Sequence, residues 1–375
     1  MELLGKSKEE LREFCVALGE PAYRGGQIYH ALYAERKFDL ARITNLPVAL
    51  RERLSKEAQI TLPEVKQRFA SADGSVRYLF GLTAKEEKLA TRPAAVEAVF
   101  MPSEGRQTIC ISTQAGCAVD CHFCLTAQLG LIRNLTAGEI LAQVLVPLEE
   151  HKSQLAPPFE APLEARGKQR KQTNIVLMGQ GEPLLNFEPM MVAVRIMLDP
   201  EGLGISPKHV TLSTSGIVPG IERLALERIR PKLAISLNAS NDEQRDVLMP
   251  INKKYPLSAL MEACRNYPLR TWEHLTFEYV MLGGVNDSAA DARRVVRLLA
   301  SLKSVKLNLI PWNPGELPYR ESSPEQIEEF RQILVDRGVP AFVRYSRGRD
   351  VMAACGQLAL LNISNAGGEA LQQQS

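Results

Sequence analysis

From about residue 108 onward the chain alternates short apolar runs with helical stretches, and this alternation limits its fold more than any other feature. The runs are "QTICIS", "NIVLMG", "HVTLST", "KLAISL", "LTFEYVML", "VKLNLI" and "AFVRYS". The helical stretches between them include residues 136–150, 186–198, 217–229, 257–266, 288–302 and 323–337. Near-continuous Val, Ile and Leu runs of this kind predict strands buried on both faces, in a parallel sheet wrapped by helices. About six or seven such units are enough to close, or nearly close, an α/β barrel, and such folds place their ligands at the C-terminal strand ends. That rule selects Gly179, Gly181, Glu182 and Pro183, then Ser213, Thr214 and Ser215, then Ser236 and Asn238, and finally Asn313. All are small or polar groups where a ligand should lie.

Ahead of the alternation the pattern differs. Residues 1–65 read as helical. "SKEELREFCVALG" opens with a capping-box pattern, Ser7 followed by Glu10, and carries Leu11, Phe14, Val16 and Leu18. "RGGQIYHALYAE" and "LPVALRERLSKEA" predict two more short helices, which gives a small all-α module. "SVRYLFGL" and "VEAVFMPSEGRQTICIST" alternate like strands and lead into the main domain. The predicted division is a helical accessory domain with linker over 1–90, a barrel core over 91–355 and a C-terminal tail over 356–375. Within the core, residues 151–172 are rich in Pro, Lys and Gln, lack periodicity and read as an insertion.

Composition excludes some functions. No run of about 18 apolar residues is present, so no membrane span is expected. The N-terminus, "MELLGKSKEELREF", is charged throughout and does not resemble a secretory signal. Seven cysteines in that setting predict a reducing compartment, the cytoplasm, where clustered cysteines more often bind metal or do chemistry than form structural disulfides. A net charge of +2 means that a nucleic-acid partner must be met by local basic patches. Candidates are Arg344, Arg347 and Arg349, the "GKQRK" of the insertion, and Arg24, Arg51 and Arg53 on the helical module.

The cysteines are unevenly placed. Cys15 and Cys264 read as small buried hydrophobes. Cys117, Cys121 and Cys124, in "STQAGCAVDCHFCLTAQLG", have the spacing C-x3-C-x2-C, beside Gly116 and Asp120, which are not core residues. A structural zinc wants four ligands, yet no second C-x2-C or His pair follows, and His122 inside the loop is not placed to serve. An electron-carrying iron–sulfur protein usually supplies four cysteines. On the residues alone, a structural zinc protein and an iron–sulfur binding or electron-transfer protein both stay open. Three thiolates would leave one iron of a 4Fe–4S cube vacant, by the logic that leaves catalytic zinc an open position. Cys110, on the strand leading into the triplet, and Cys355, in "RYSRGRDVMAACGQL", stand apart from it.

The triplet, with Phe123 before its last cysteine, a strand before it and "GEP" after it, resembles the radical S-adenosylmethionine (SAM) superfamily. "CISTQAGCAVDCHFCLTAQLGLIRNLTAGEIL", "MGQGEPLLN", "LSTSGIVPGI", "LIPWNP" and "RGRDVMAACGQL" together resemble the RlmN/Cfr family of radical SAM RNA methyltransferases, from about residue 5 to 360. The resemblance implies a partial (β/α)6-type radical SAM barrel with a small N-terminal all-α domain that grips RNA. It implies that Cys117, Cys121 and Cys124 ligate one 4Fe–4S cluster, with SAM on the open iron. Gly181, Glu182, Ser213, the Ser236–Leu237–Asn238 turn and Asn313 would hold SAM. Cys355 would become S-methylcysteine, Cys110 would resolve the RNA adduct, and Glu97 would be the general base. The chain has Asn238 where relatives usually have His, Gln180 where Met is usual, and a longer insertion at 151–172.

The implied chemistry follows from the target. An adenine carbon between two ring nitrogens is not nucleophilic, so direct attack on the SAM methyl is closed. Two SAM molecules per turnover would serve instead, one to methylate the Cys355 thiolate and one to yield a radical that activates that methyl. Glu97 would take the ring proton and Cys110 would release product by thiol exchange, leaving a disulfide. The family acts on C2 of an adenosine in the peptidyl transferase centre of 23S ribosomal RNA, and on the adenosine 3′ to the anticodon in some transfer RNAs. A splayed-out base would have to enter the barrel. The Cfr branch methylates C8 of the same rRNA adenine and is the alternative within the enzyme class; "MGQGEPLLN" and "ACGQL" favour the C2 branch. An electron donor such as flavodoxin or ferredoxin is implied as a partner.

Overall fold

The computed structural model describes residues 1–82, 94–153 and 172–358. The first part is helical: α1 (Lys8–Ala17), α2 (Tyr23–Tyr33) and α3 (Val48–Glu57). The predicted capping box starts α1, with Ser7 Oγ accepting from Glu10 N at 3.2 Å and the Glu10 carboxylate accepting from Ser7 N at 2.8 Å. Leu11, Cys15, Ile28, Leu32, Leu50 and Leu54 face inward and are buried. Cys15 is thus the core hydrophobe the sequence suggested.

The chain then enters β1 (Glu64–Ala70), β2 (Val76–Gly81), β3 (Ala95–Ser103), β4 (Arg106–Cys110) and the short β5 (Gln114–Gly116). Next come α4 (Leu125–Gln128), β6 (Leu131–Asn134), α5 (Ala137–Glu150), β7 (Gln172–Leu177) and α6 (Phe187–Leu198). They are followed by β8 (Val210–Thr214), α7 (Val218–Ala225), β9 (Lys232–Ser236), α8 (Asp242–Leu248), α9 (Leu257–Asn266) and β10 (Leu275–Met281). Then follow α10 (Ala289–Leu299), β11 (Val305–Pro311), α11 (Pro324–Asp336) and β12 (Ala341–Val343).

One ten-stranded sheet runs β1-β2-β3-β4-β7-β8-β9-β10-β11-β12. Every pairing from β4 to β12 is parallel, as the apolar runs predicted. The four strands from β1 to β4 are antiparallel. Residues 64–81 join the main sheet, after a helical part whose last helix ends at Glu57, in keeping with the helical reading of residues 1–65. β1 carries no apolar alternation because it is an edge strand exposed along most of its length. The β5–β6 ladder was also not legible, being only three residue pairs long. The linker residues 83–90, most of the 151–172 insertion and the tail beyond residue 358 lie outside the described residues.

Among the described residues, β1 and β12 share no ladder, so the barrel is open along one seam. The loop after β12 spans that seam. Gly348 N donates to Asp73 Oδ2 at 2.9 Å, and Asp350 accepts from Ser71 Oγ at 2.6 Å and from Ala72 N at 3.0 Å. Arg347 donates to the Pro102 carbonyl. Burial alone would raise the Asp73 carboxyl, but bonds from Ser75, Gly348 and Ser71 outweigh it and hold the group well below the usual carboxylate range. No helix among the described residues is long and apolar enough to cross a membrane.

Candidate active site

The cysteine loop is closed by the β5–β6 ladder. Cys117 N donates to Gly130 O at 3.0 Å. Gly116 has φ +73°, and a Cβ there would overlap the Gly130 carbonyl oxygen. Only glycine meets both demands. Beyond the turn, Cys124 opens α4. Cys117, Cys121 and Cys124 then line one cavity of about 170 Å³ at the C-terminal ends of the parallel strands. Burial pushes the Cys117 thiol up to about 12 and raises Cys121 and Cys124, and the sulfurs repel one another as thiolates. His122 is turned outward, with Nε2 3.5 Å from Asp120 Oδ2.

The opposite wall comes from the strand ends that the barrel rule selected. Gly181, Glu182, Ser213, Ser236 and Asn238 all line the cavity. Glu182 accepts from Leu184 N at 3.0 Å, Ser215 N at 2.7 Å and Ser215 Oγ at 2.8 Å. Burial nonetheless raises its carboxyl. Asn238 has φ +55°; its Oδ1 accepts from Val280 N at 2.8 Å and its Nδ2 lies 3.4 Å from Met249 Sδ. Two expected SAM contacts stand behind the wall instead. Leu237 is fully buried, and Asn313 Nδ2 donates to Ser346 Oγ at 3.0 Å and to Cys355 O at 3.1 Å.

Arg245 on α8 was not foreseen. Fully buried, it donates to the carbonyls of Leu237 (3.1 Å), Ser215 (2.6 Å) and Ser236 (3.1 Å). One guanidinium thus ties the ends of β8 and β9 together. Burial lowers it to about 10, and the charge of Cys121 works the other way. An arginine in "NDEQRDVL" reads as a surface helix residue, so the sequence offers no signal for it.

Cys355 lines the same cavity as the triplet. Its exposed surface borders that space, while the surrounding protein and then the charge of Glu278 push its thiol up to about 11. Gly356 O accepts from Leu125 N at 2.8 Å, which pins this loop to the helix after Cys124. Cys110 is buried next to Ala353 and Leu358 and is close enough that the Cys355 charge bears on it. Both thiols are free. Glu97 and Val99 share a face of β3, and Val99 is the ladder partner of Cys110. Glu97 is fully buried and paired with buried Arg77. Gln180 accepts from Glu97 N at 3.1 Å, with Nε2 3.5 Å from both Glu97 Oε2 and Leu358 O.

Of the candidate phosphate contacts, several guanidiniums bind the protein itself. Arg24 donates to Asn45 O, Arg51 to Ala41 O, Arg53 to Leu18 O and Arg349 to the Glu321 carboxylate. Arg344 is exposed and donates to Asn308 Oδ1 at 3.0 Å. The "GKQRK" segment lies outside the described residues.

The donor set fits an iron–sulfur cluster. Among the described residues, no three His, Cys, Asp or Glu side chains gather tightly enough for one metal ion. A cube presents its irons at separate corners, so three thiols spread around a void suit it better than tetrahedral zinc. The charge of buried Arg245, felt at Cys121, would offset part of the thiolate charge.

Residues 111–296 match the Radical SAM superfamily, and residues 1–60 match the ribosomal RNA large subunit methyltransferase N-terminal domain. A probable dual-specificity RNA methyltransferase RlmN of Koribacter versatilis is 48% identical, over 91% of this chain and 96% of its own length. The dual-specificity RNA methyltransferase RlmN of Cereibacter sphaeroides (strain ATCC 17025) is 45% identical, over 96% and 89%. A crystal structure of a radical SAM methyltransferase from Sphaerobacter thermophilus is 42% identical, covers 96% of this chain and 99% of its own, and superposes with a TM-score of 0.84. Likeness at this level, over nearly the whole length of each protein, shows that the chain belongs to the RlmN family of radical SAM RNA methyltransferases.

Proposed function

We propose that this chain methylates C2 of an adenosine in 23S ribosomal RNA and of the adenosine 3′ to the anticodon in transfer RNAs. One observation carries the reading: Cys355 faces the same cavity as the three thiols of the cysteine loop. An electron carrier has no use for that fourth, separate thiol.

Cys117, Cys121 and Cys124 would hold a 4Fe–4S cluster. That group supplies, when bound, the electron that cleaves SAM to a 5′-deoxyadenosyl radical. Gly181, Glu182, Ser213, Ser236 and Asn238 are assigned to SAM by their place on the wall. Cys355 accepts a methyl as a thioether, from the first of two SAM molecules, and this carbon later bonds to adenine C2. Glu97, held by Arg77 and Gln180 on the face it shares with Val99, takes the ring proton. Cys110, beside the Cys355 loop, attacks the Cys355 sulfur and frees the product, and the resulting disulfide is reduced by exchange. Asn313 is assigned a hold on the Cys355 backbone. The need to regain both thiols suits the cytoplasm, and a flavodoxin or ferredoxin is the proposed electron donor. The helical module is proposed to grip the RNA.

Cys355→Ala should keep its iron and carry no methyl thioether on the protein; full-rate RNA methylation by this variant would falsify the mechanism. Cys110→Ala should trap a covalent RNA–protein species visible on a denaturing gel. Mass spectrometry of 23S and transfer RNA from a deletion strain should show loss of 2-methyladenosine from both; loss of 8-methyladenosine instead would place the enzyme in the C8 branch.

A further inference from the structure

One carboxylate of the cavity has no part in the chemistry described so far. Glu278 lies on β10, opposite Ser236 of β9 and Asn308 of β11. It lines the cavity that Cys355 also lines and is 8% exposed. One oxygen accepts from Asn308 Nδ2 at 2.9 Å. Among the described residues, no donor reaches the other oxygen. Glu182, the other carboxylate of the lining, already accepts three hydrogen bonds.

We propose that Glu278 is a catalytic residue of the first half-reaction, the group that takes the thiol proton of Cys355 as that sulfur receives its methyl. The proposal rests on the reading of Cys355 as methyl acceptor. The S–H bond breaks and its proton passes to the Glu278 carboxylate. The sulfur pair bonds to the methyl carbon of SAM, the sulfonium–methyl bond breaks, and S-adenosylhomocysteine leaves. Charge balances: a cation and a carboxylate become three neutral groups.

The surroundings suit that role. Burial raises the Glu278 carboxyl to about 7, against the Asn308 bond and the charges of Arg344 and Lys306. The charged and titratable groups bearing on this corner are Lys306 from β11, Arg344 after β12, Cys355 from the C-terminal loop and, acting on Cys355, Cys124 at the start of α4. A thiol near 11 is almost wholly protonated at neutral pH, and methyl transfer needs the thiolate. An acceptor poised near the working pH is the effective general base.

The test loads cluster-reconstituted enzyme with SAM, without reductant or RNA, and follows the methyl on the Cys355 peptide by mass spectrometry. Glu278→Gln should load roughly 10²-fold more slowly at neutral pH and recover as pH rises, while Glu278→Asp restores part of the rate. SAM affinity should stay within about twofold of wild type, because the proton and not the ligand is at stake. Infrared spectra of the protein, with or without cluster, should show a carboxylic acid band growing between about pH 8 and about pH 6, absent from Glu278→Gln. Wild-type loading rates in Glu278→Gln at every pH overturn the proposal. So does a uniform loss with weakened SAM affinity, which would make Glu278 a SAM ligand. No methyl on Cys355 in the wild type sinks the acceptor reading and this proposal with it, which separates the two failures.

Discussion

Arg77 and Glu97 are 3% and 0% exposed and form an ion pair inside the barrel wall. Removing one partner of such a pair leaves the other charge in a poorly solvating site. Arg77→Ala should therefore lose about 3–5 kcal/mol in denaturant unfolding, and Glu97→Gln, which strands the buried Arg77 guanidinium in the same way, should also destabilise the fold. The grouping of Cys117, Cys121 and Cys124 was legible because C-x3-C-x2-C is a local pattern, and spacing in the chain becomes spacing in the loop. Arg245 and Glu278 were not. Each works on groups in other elements, Arg245 on the ends of β8 and β9 and Glu278 on Cys355. Nothing near either residue announces that partner. Asn313 shows the reverse: the strand-end rule chose the right neighbourhood but could not say which side chain faces the void.

The β5–β6 ladder decides whether three cysteines can act together. Gly116→Ala should fold its barrel and fail to load iron, because the loop must open to make room for the methyl. Iron and sulfide content after anaerobic reconstitution measures this, and full loading would remove the ladder from the account. The helical module obeys more local rules. Ser7→Ala breaks the capping box and should cost about 1 kcal/mol, read as faster hydrogen exchange in α1 with the parallel strands unaffected. This capping signal was legible because both partners lie within one turn. The β1–β2 hairpin was half legible: β2 has a buried apolar face, whereas β1 is an exposed edge whose membership depends on the strand it joins.

At the scale of the whole molecule, the seam between β12 and the β1–β2 hairpin is bridged by the segment that leads to Cys355. Asp73 accepts from Gly348 N there, and its carboxyl is held below the ordinary range. A depressed carboxylate contributes stability above its unfolded value, near 3.9, and loses it as pH falls through the folded one. The latch is thus complete at neutral pH and opens only in acid. Asp73→Ala should raise hydrogen exchange across residues 348–355 and slow methyl loading of Cys355, with iron content unchanged; equal protection in both proteins would show that the latch does not hold the loop. The sequence by itself determined the parallel sheet, the wrapped helices, the three-cysteine loop and the strand ends that wall the cavity, because each is written in neighbouring residues through periodicity, spacing or capping. Only the tertiary structure decided that Cys355 meets the triplet, that Cys110 lies beside its loop, that Arg245 braces the wall and that Glu278 faces the cavity. Those are arrangements between separate elements, and they are set by how the sheet curls and where its seam is closed, which no local pattern encodes.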